Sequence, residues 1–361
     1  MANGSNGTGH DIIVVGASTG GVEAIMRLTS ALPADLPAAV FVVVHFPPDG
    51  SSVLPRLIGR RSALPATHAA DGEPITRGRI YVARPDYHLL LEPGRVRLAQ
   101  GPRENRARPA VDVLFRSAAL AYGPRVVGVV LTGALDDGAA GLVAIKRRGG
   151  LAVVQDPADA LIPGMPLSAL ARCEVDHVAP LAALPALLTE LSRAPAPQEG
   201  AYPVPREMEV EVGKARLDEG VMQEQVGAPA SFTCPECKGP LWEIREGGLA
   251  RYRCQTGHAY SVGTWLVDQS DALEEALWVA VNTLQESARM AERLAHDARA
   301  RGSDLVAARF EEKQRQTLAQ AEVVRRVLAE RQHSAMVEVL TQEQLGEDPP
   351  ADPAEAASGD A

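Results

Sequence analysis

Two strongly apolar runs in the 361-residue sequence each lead into a side chain suited to nucleophilic chemistry. Residues 11–15 run into a glycine-rich turn that holds Ser18, and residues 42–44 run directly into His45. Such continuous runs predict strands buried on both faces, and the helical spacing of apolar residues over 22–32 predicts a helix between them. The interval of 27 residues fits one strand–helix–strand crossover. Ser18 and His45 are therefore predicted to emerge side by side from neighbouring parallel strands.

The turn around Ser18 reads Gly-Ala-Ser-Thr-Gly-Gly over residues 16–21. The Gly-x-Ser-x-Gly pattern is that of a nucleophile elbow, in which the N–H of the following residue, here Thr19, helps to form an oxyanion hole. A phosphate-binding loop would use the same glycines and the same helix start. These six residues alone leave both interpretations open.

A third apolar run, residues 126–131, leads into a turn-rich loop that carries Asp136 and Asp137. Open α/β sheets place their sites beyond the carboxyl ends of the strands, so an aspartate of this loop is expected near Ser18 and His45. The order Ser, His, Asp differs from the α/β-hydrolase order Ser, Asp, His, and that fold is not implied. Spacing alone does not choose between Asp136 and Asp137, nor between a site role and ordinary turn or helix-cap roles.

Several blocks in this half of the sequence together resemble the chemotaxis protein-glutamate methylesterases, that is, the CheB catalytic domain. Besides the turn at 16–21, the blocks are His-Phe-Pro-Pro at 45–48, residues 105–115, Leu-Thr-Gly at 131–133, Asp-Gly-Ala-Ala-Gly at 137–141 and Gly-Met-Pro at 164–166. The resemblance implies an α/β fold with a doubly wound, mainly parallel sheet and helices on both faces.

The resemblance also implies roles for three residues: Ser18 as nucleophile, His45 as general base and acid, and Asp137 as the carboxylate that orients the imidazole. The implied reaction is hydrolysis of glutamate γ-methyl esters on methyl-accepting chemotaxis-type receptors, with deamidation of glutamine as a second activity and no cofactor for catalysis. The family usually has Met-Gly where this chain has Ala134-Leu135. We expect that departure to change the loop beside the triad.

Two alternatives to a receptor methylesterase remain open from the sequence. One is a non-catalytic signalling scaffold that works through its C-terminal extension, and the other is an esterase or amidase with a small-molecule substrate. Four arginines in loop-like stretches also have two interpretations, as a positive rim that meets an acidic receptor helix or as solvated surface charges. They are Arg84, Arg103, Arg106 and Arg108.

The net charge of −10 at pH 7 is concentrated in two acidic segments, residues 195–230 and 334–361. The remainder is close to neutral, which argues against nucleic-acid binding. The sequence has no apolar run long enough to cross a bilayer and no secretory signal at its start, so a cytoplasmic protein without membrane insertion is expected. The best-known family members carry an N-terminal receiver domain, whereas here the catalytic motifs begin almost at Met1. We therefore expect a catalytic domain without a receiver.

Cysteine spacing in the second half predicts a metal site. Cys234 and Cys237 form one pair, Cys254 and His258 form another, and sixteen residues separate the pairs. With strands predicted at 241–244 and 249–253 between them, four such ligands suit a tetrahedral structural zinc in a ribbon-like module. The competing interpretation is a redox dithiol at the first pair, which leaves the second pair without a role.

The predicted organisation follows from these patterns and from composition. The segments are a disordered N-terminus (1–9), the catalytic domain (10–193), a Pro-rich linker (194–229), the zinc-ribbon-like module (230–267), an antiparallel helical hairpin (268–333) and an acidic disordered tail (334–361). The apolar stripes of the hairpin favour mutual packing of its helices. A signalling partner that binds this extension is the alternative.

Overall fold

The computed structural model describes residues 9–46, 50, 52–246 and 249–344. The chain divides after Asp268 into two compact units. The first unit contains the cysteine-rich segment together with the α/β fold, whereas the sequence predicts two separate modules. The second unit is helical, and each unit is described by itself.

The described residues form thirteen strands and nine α-helices. The strands are β1 (Ile12–Ala17), β2 (Ala39–Val44), β3 (Ala66–His68), β4 (Ile80–Val82), β5 (His88–Glu92), β6 (Arg95–Ala99), β7 (Val126–Val130), β8 (Leu151–Gln155), β9 (His177–Ala179), β10 (Ala228–Thr233), β11 (Pro240–Glu246), β12 (Leu249–Cys254) and β13 (Ala259–Ser261). The helices are α1 (Gly21–Ser30), α2 (Leu54–Gly59), α3 (Val111–Tyr122), α4 (Ala139–Arg147), α5 (Gly164–Arg172), α6 (Leu184–Arg193), α7 (Arg206–Arg216), α8 (Val262–Ala300) and α9 (Asp304–Gln344).

Seven strands form the central sheet in the order β3-β4-β2-β1-β7-β8-β9. Every pairing in it is parallel, which confirms the predicted fold class. Strand β1 lies between β2 and β7, so the connections turn to opposite sides of it. Open α/β sheets bind ligands beyond the carboxyl ends of the strands at such a switch point.

The apolar runs are continuous because both faces of the sheet are covered. On β1, Ile12 and Val14 face a core that includes residues of α3 and α4. Ile13 and Val15 face the opposite core, with residues of α1 and α6. The strands that end near Ser18 and His45 are therefore fixed from both sides.

The segment 194–229 departs from its predicted character as an extended linker, because it contains helix α7. Met208 and Val212 of this helix are buried, and so is the charged Glu211. The Pro-rich composition predicted an extended chain, but Glu211 forms buried ion pairs with Arg251 and Arg253. Those partners lie far along the chain, where local composition gives no sign of them.

The cysteine-rich segment forms a four-stranded antiparallel sheet in the order β10-β11-β12-β13. Strands β11 and β12 are the predicted hairpin, while β10 and β13 extend it on either side. Cys234 follows β10, Cys254 ends β12, and His258 precedes β13. The two ligand pairs therefore lie at one end of this sheet.

The helical unit comprises most of α8 and all of α9, which are joined at residues 301–303, where the break was predicted. Helix α9 continues through residues 334–344, which had been assigned to a disordered tail, whereas 345–361 and the N-terminal residues 1–8 lie outside the described residues. Within the predicted stripes Val281, Ala288 and Ala321 are buried, but Leu318 is exposed. None of the described helices offers an apolar stretch long enough to span a bilayer.

Candidate active site

The imidazole of His45 lies between Ser18 and Asp137, at the carboxyl ends of β2, β1 and β7. Its Nδ1 atom is 3.1 Å from Ser18 Oγ, and its Nε2 atom is 2.8 Å from Asp137 Oδ2. The three predicted site residues therefore form one hydrogen-bonded chain, in which Nδ1 faces the serine and Nε2 faces the carboxylate.

The turn that presents Ser18 depends on a left-handed glycine. Gly20 is the N-cap residue of α1 and has φ 77°. Residues other than glycine rarely adopt this backbone conformation. The Ser18 N–H donates to Thr132 O at 3.0 Å, and the Gly21 N–H donates to Ser18 O at 2.8 Å. These two bonds hold the serine between β1, the loop after β7 and the N-terminus of α1.

Gly133 allows the loop after β7 to approach the serine. A Cβ atom at this position would lie 2.8 Å from Ser18 Cβ and 2.1 Å from Met165 Sδ. Both separations are shorter than carbon and sulfur atoms tolerate. Only glycine therefore fits between Ser18 and the buried Met165.

Asp137 is buried and receives four hydrogen bonds. Oδ2 accepts from His45 and from the Val111 N–H at 2.7 Å, and Oδ1 accepts from the Asp112 N–H and from Asn105 Nδ2, each at 3.0 Å. Two of the donors are the first backbone N–H groups of α3, whose positive dipole end favours a carboxylate. Burial alone would raise the pKa of Asp137, but the bonds from His45, Asn105 and Val111 lower it below its usual range.

Asp112 is a second buried carboxylate beside Asp137. Its Oδ1 accepts from the N–H groups of Gly138 at 3.0 Å and Gly141 at 2.6 Å, and its Oδ2 accepts from Asn105 Nδ2 at 2.8 Å. Burial, and then the charge of Asp137, raise the pKa of Asp112 to about 7. Asn105 thus donates to both carboxylates.

Asp136, the other aspartate of the loop, points elsewhere. Its Oδ2 accepts from Arg172 at 2.7 Å, and its Oδ1 accepts from Ser261 Oγ at 2.8 Å. Asp137 therefore contacts His45, whereas Asp136 contacts Arg172 and Ser261 of the cysteine-rich segment.

The Ala134-Leu135 departure is visible in the loop beside the triad. Leu135 has φ 62°, in the left-handed region that favours glycine, and its side chain is 42 % exposed. It lines a pocket of about 390 Å³ that also contains Ser18, His45 and Asp137. The Leu135 side chain therefore lies in the same pocket as Ser18.

Three of the four predicted rim arginines line this pocket: Arg103, Arg106 and Arg108. Arg108 Nε donates to Asp86 Oδ1 at 2.9 Å, and Arg106 lies 2.7 Å from Asp268. Arg103 is exposed. Arg84 lies over the Tyr87 ring rather than among the lining residues.

The four predicted metal ligands are brought together at the end of the four-stranded sheet. Their ligand atoms lie within 4.8 Å of one another, in Cys234, Cys237, Cys254 and His258. The distance from Cys237 Sγ to Cys254 Sγ is 3.6 Å, and that from Cys234 Sγ to His258 Nδ1 is 3.7 Å. Tetrahedral zinc with Zn–S bonds of about 2.3 Å places sulfur ligands roughly 3.7 Å apart. His258 Nε2 lies 3.2 Å from Glu236 Oε2, the kind of carboxylate partner that orients metal-bound histidines.

The part of the chain that forms the α/β fold is similar to known proteins. The family model described as CheB methylesterase matches residues 13–188. A putative protein-glutamate methylesterase/protein-glutamine glutaminase of Leptospira interrogans is 38 % identical over 185 residues, which are 51 % of this chain and 96 % of that protein.

The chain belongs to the CheB methylesterase family.

Other family members are longer than the matched region. Protein-glutamate methylesterase/protein-glutamine glutaminase 2 of Methanosarcina mazei is 39 % identical over 180 residues (48 % of this chain, 49 % of that protein). Protein-glutamate methylesterase/protein-glutamine glutaminase 5 of Anaeromyxobacter dehalogenans is 42 % identical over 190 residues (52 % of this chain and 52 % of that protein). This CheB family chain thus spans about half the length of these relatives. The crystal structure of the Thermotoga maritima CheB methylesterase catalytic domain is 34 % identical, with a TM-score of 0.48, and covers 50 % of this chain and 98 % of that chain.

The sequence patterns gave no role to several residues that contact Asp137 or the residues around it. Asn105 and Asp112 belong to a block that carried the family resemblance, but nothing in their spacing assigned them a place beside Asp137. Ser261 and Thr264 lie beyond the family match, and their contacts with the site depend on tertiary packing alone.

Proposed function

We propose that this protein is a serine hydrolase that removes methyl groups from glutamate γ-methyl esters of a methyl-accepting chemotaxis-type receptor. The observation that carries the proposal is the His45 imidazole, which bridges Ser18 Oγ and the buried Asp137 carboxylate in a chain of the CheB methylesterase family. A nucleophile, a base and an orienting carboxylate in one chain are what acyl transfer through serine requires.

In the first half-reaction Ser18 Oγ attacks the ester carbonyl carbon, and the Ser18 proton passes to His45 Nδ1. The tetrahedral intermediate then expels methoxide, which takes that proton from His45 and leaves as methanol. The product is an acyl-enzyme in which the glutamyl γ-carbonyl is bonded to Ser18. Asp137 Oδ2 accepts a hydrogen bond from the Nε2–H group of His45 throughout and stays ionised, so it stabilises the imidazolium that forms.

In the second half-reaction a water molecule attacks the acyl carbonyl and gives a proton to His45 Nδ1. The Ser18 oxygen leaves with that proton, and the receptor glutamate is released as a free carboxyl group, which ionises. The Thr19 N–H, in the turn before α1, is the proposed oxyanion donor, because the Ser18 N–H is already bonded to Thr132.

The same cycle deamidates a receptor glutamine when ammonia replaces methanol as the leaving group. Relatives of this chain carry both activities in their names. Ammonia is a poorer leaving group than methanol, so proton donation by His45 matters more for the amide. We propose deamidation as the second activity of the same site.

The substrate is proposed to be a receptor helix with acidic side chains around its methylated glutamates. Arg103, Arg106 and Arg108 line the pocket, and Arg103 is exposed. The ion pairs of Arg106 and Arg108 with Asp268 and Asp86 reduce the positive field of the rim. Arg103 is therefore the residue that we propose to contact acidic side chains of the receptor.

We also propose that the reaction takes place in the cytoplasm.

The Cys234, Cys237, Cys254 and His258 cluster is proposed to hold a structural zinc ion. The donor set and the distances between the ligand atoms fit tetrahedral zinc, and four protein ligands close the site to substrate. When bound, zinc would cross-link β10, β12 and the turn before β13. The ion has no part in the proposed ester chemistry.

Methanol release from a methylated receptor fragment tests the proposed function. Ser18→Ala is expected to lower turnover by a factor on the order of 10⁴–10⁶ because the triad acts as a unit. Ser30→Ala is the matched control, since the Ser30 hydroxyl donates only to Arg27 O within α1, and its turnover should equal that of the wild type.

Other outcomes separate the alternative functions. Hydrolysis of simple methyl esters without release from the receptor fragment would favour a small-molecule esterase. Folded wild-type protein that releases methanol from neither substrate would favour the signalling scaffold.

A further inference from the structure

We infer that the cysteine-rich segment is part of the active site, and that Ser261 and Thr264 are positioning residues for the Asp137 carboxylate, acting through Asn105 and Asp136. The inference rests on the catalytic role proposed above for Ser18, His45 and Asp137. It concerns contacts that lie outside the region matched by the family model.

Asn105 connects the cysteine-rich segment to the carboxylates. Its Nδ2 group donates to Asp137 Oδ1 at 3.0 Å and to Asp112 Oδ2 at 2.8 Å. Its Oδ1 atom accepts from the Ser261 N–H at 3.1 Å and from Thr264 Oγ1 at 3.4 Å. Residues of β13 and the start of α8 therefore orient the Asn105 side-chain amide through its oxygen atom. Its Nδ2 group, held in this orientation, donates to Asp137.

The backbone of Asn105 is held in a conformation that the loop would not adopt freely. Asn105 has φ 49° and Arg106 has φ 69°, both in the left-handed region. Such residues persist where the surrounding structure over-determines them. Here the Asn105 N–H donates to Ala259 O at 2.8 Å, and the Ala259 N–H donates to Arg103 O at 3.2 Å. Strand β13 thus pairs with the loop that carries Asn105.

A second connection reaches the residue directly before Asp137. Ser261 Oγ donates to Asp136 Oδ1 at 2.8 Å, while Arg172 binds the other carboxylate oxygen. Ser261 and Thr264 also bond to each other, with Thr264 Oγ1 accepting from the Ser261 N–H at 2.9 Å. Ser261 and Thr264 therefore contact Asn105, which donates to Asp137, and Ser261 also contacts Asp136, which precedes Asp137 in the chain.

Buried ion pairs attach the cysteine-rich segment to the α/β fold at this place. Glu104, the neighbour of Asn105, lies 2.8 Å from Arg253 on β12 and 2.9 Å from Arg116 on α3. All three side chains are at most 3 % exposed. Charges this deeply buried are tolerated only when they are paired, so the two parts of the unit stay in contact.

Thr264 also lines the pocket that contains Ser18 and His45. A residue from the start of α8 therefore reaches the substrate space itself. The first turn of α8 therefore contributes to the lining of the same pocket as Ser18 and His45.

The rate at which Ser18 reacts with a small fluorophosphonate probe tests the inference, because it reports activation of the nucleophile without a receptor substrate. Ser261→Ala and Thr264→Val are each expected to lower this rate about tenfold, because each removes a hydroxyl group from the buried network around Asn105 and Asp136. In methanol release the loss should fall on kcat while KM for Ser261→Ala stays at the wild-type value. Thr264→Ser restores the hydroxyl and should restore the rate.

Thr29→Val is the matched control, since Thr29 and Thr264 are both 1 % exposed and the Thr29 hydroxyl bonds only within α1. The melting temperature and metal content of every variant are measured alongside. If Thr264→Val does not fold, the result for Ser261→Ala decides the test. Ser261→Ala removes the hydroxyl that donates to Asp136 but keeps the backbone N–H that donates to Asn105, so we expect it to fold.

Wild-type labelling rates in folded Ser261→Ala and Thr264→Val would overturn the inference and leave the proposed function intact. Equal slowing in Thr29→Val would also overturn it, since any buried hydroxyl would then serve. Wild-type protein that the probe does not label at Ser18 would instead refute the proposed nucleophile, and with it the positioning role.

Discussion

Asp112 and Asp137 are neighbouring buried carboxylates that share one donor, Asn105 Nδ2. Their environments move their pKa values in opposite directions, with Asp112 raised to about 7 and Asp137 lowered. Asp137, which meets the imidazole, therefore stays ionised, while the neighbour beside it holds a proton up to near neutral pH. Divergent pKa values of this kind are typical of functional sites.

The raised pKa of Asp112 predicts a pH dependence of stability. Between about pH 4 and pH 7 the folded protein keeps the Asp112 proton while the unfolded chain releases it, so the free energy of unfolding falls as pH rises through this window. Asp112→Asn removes this titration. We expect the wild-type melting temperature, relative to that of the variant, to fall steadily from pH 4 to pH 7. A difference that stays constant or grows with pH would contradict the assignment.

Leu135 predicts a second effect at the residue scale. A β-branched side chain at its φ of 62° is strongly disfavoured, so Leu135→Val should lower the free energy of unfolding by about 1–2 kcal/mol. Leu135→Gly should be tolerated, because glycine adopts this conformation freely. Leu161→Val, at a more exposed loop leucine, is the control and should change stability by less than about 0.5 kcal/mol. Chemical denaturation measures all three, and equal values for the two valine variants would show that Leu135 carries no backbone strain.

At the scale of elements, α7 is fixed to the cysteine-rich segment by charge rather than by a wide apolar face. Glu211 lies between Arg251 and Arg253 of β12, with Arg116 of α3 nearby. Burial by itself would raise the pKa of Glu211, but the three guanidinium groups outweigh it and hold the pKa well below its usual range. The ion pairs that join α7 to β12 therefore depend on an ionised Glu211.

Glu211→Gln is expected to lower the free energy of unfolding by about 3–5 kcal/mol at pH 7, because it leaves buried arginines without their counter-charge. The stability due to Glu211 is present above its unfolded pKa of about 4.5 and is lost as pH falls further, so the variant and wild type should converge in acid. Glu209→Gln, which removes an exposed partner of Arg206 on the same helix, should change stability by less than about 1 kcal/mol. Thermal melts between pH 2 and pH 7 measure these differences, and a constant gap between Glu211→Gln and wild type would contradict the account.

Local sequence patterns predict some of these elements and not others. Strands β1, β2 and β7 were predictable because burial on both faces gives an uninterrupted apolar run. Helix α7 was not, since its charged residues look solvated until Arg251 and Arg253 are brought to it by the fold. The same holds for Asn105 and Ser261, which are 156 residues apart in the chain. Topology predicts that Ser18, His45 and the loop with Asp136 and Asp137 lie at neighbouring strand ends, whereas the contacts that bring Asp137 rather than Asp136 to His45 are tertiary.

For the whole molecule, the proposed zinc site predicts metal content. The sequence has four cysteines, and Cys173 lies outside the cluster. Purified wild-type protein should hold one zinc per chain, Cys254→Ser should lose it, and Cys173→Ser should keep it. Native mass spectrometry and elemental analysis measure the content. Zinc retained by Cys254→Ser, or a disulfide in place of the metal, would refute the site.

Removal of everything after Arg193 is a poor test of the extension, because the catalytic fold and the cysteine-rich segment share buried charges. Such a chain would leave Glu104 and Arg116 without Arg253 and Glu211. We expect it to be destabilised whether or not the extension affects catalysis. Point substitutions at Ser261 and Thr264 separate the two effects.

The proposed ester hydrolysis passes through a covalent intermediate on Ser18. Rapid acid quenching of the full-length protein with a methylated receptor peptide, followed by digestion and mass spectrometry, detects this intermediate. We expect the peptide containing Ser18 to carry the receptor glutamyl group transiently, and methanol to appear in a burst no slower than this adduct. Steady methanol release with Ser18 never acylated, or release that persists in Ser18→Ala, would contradict it.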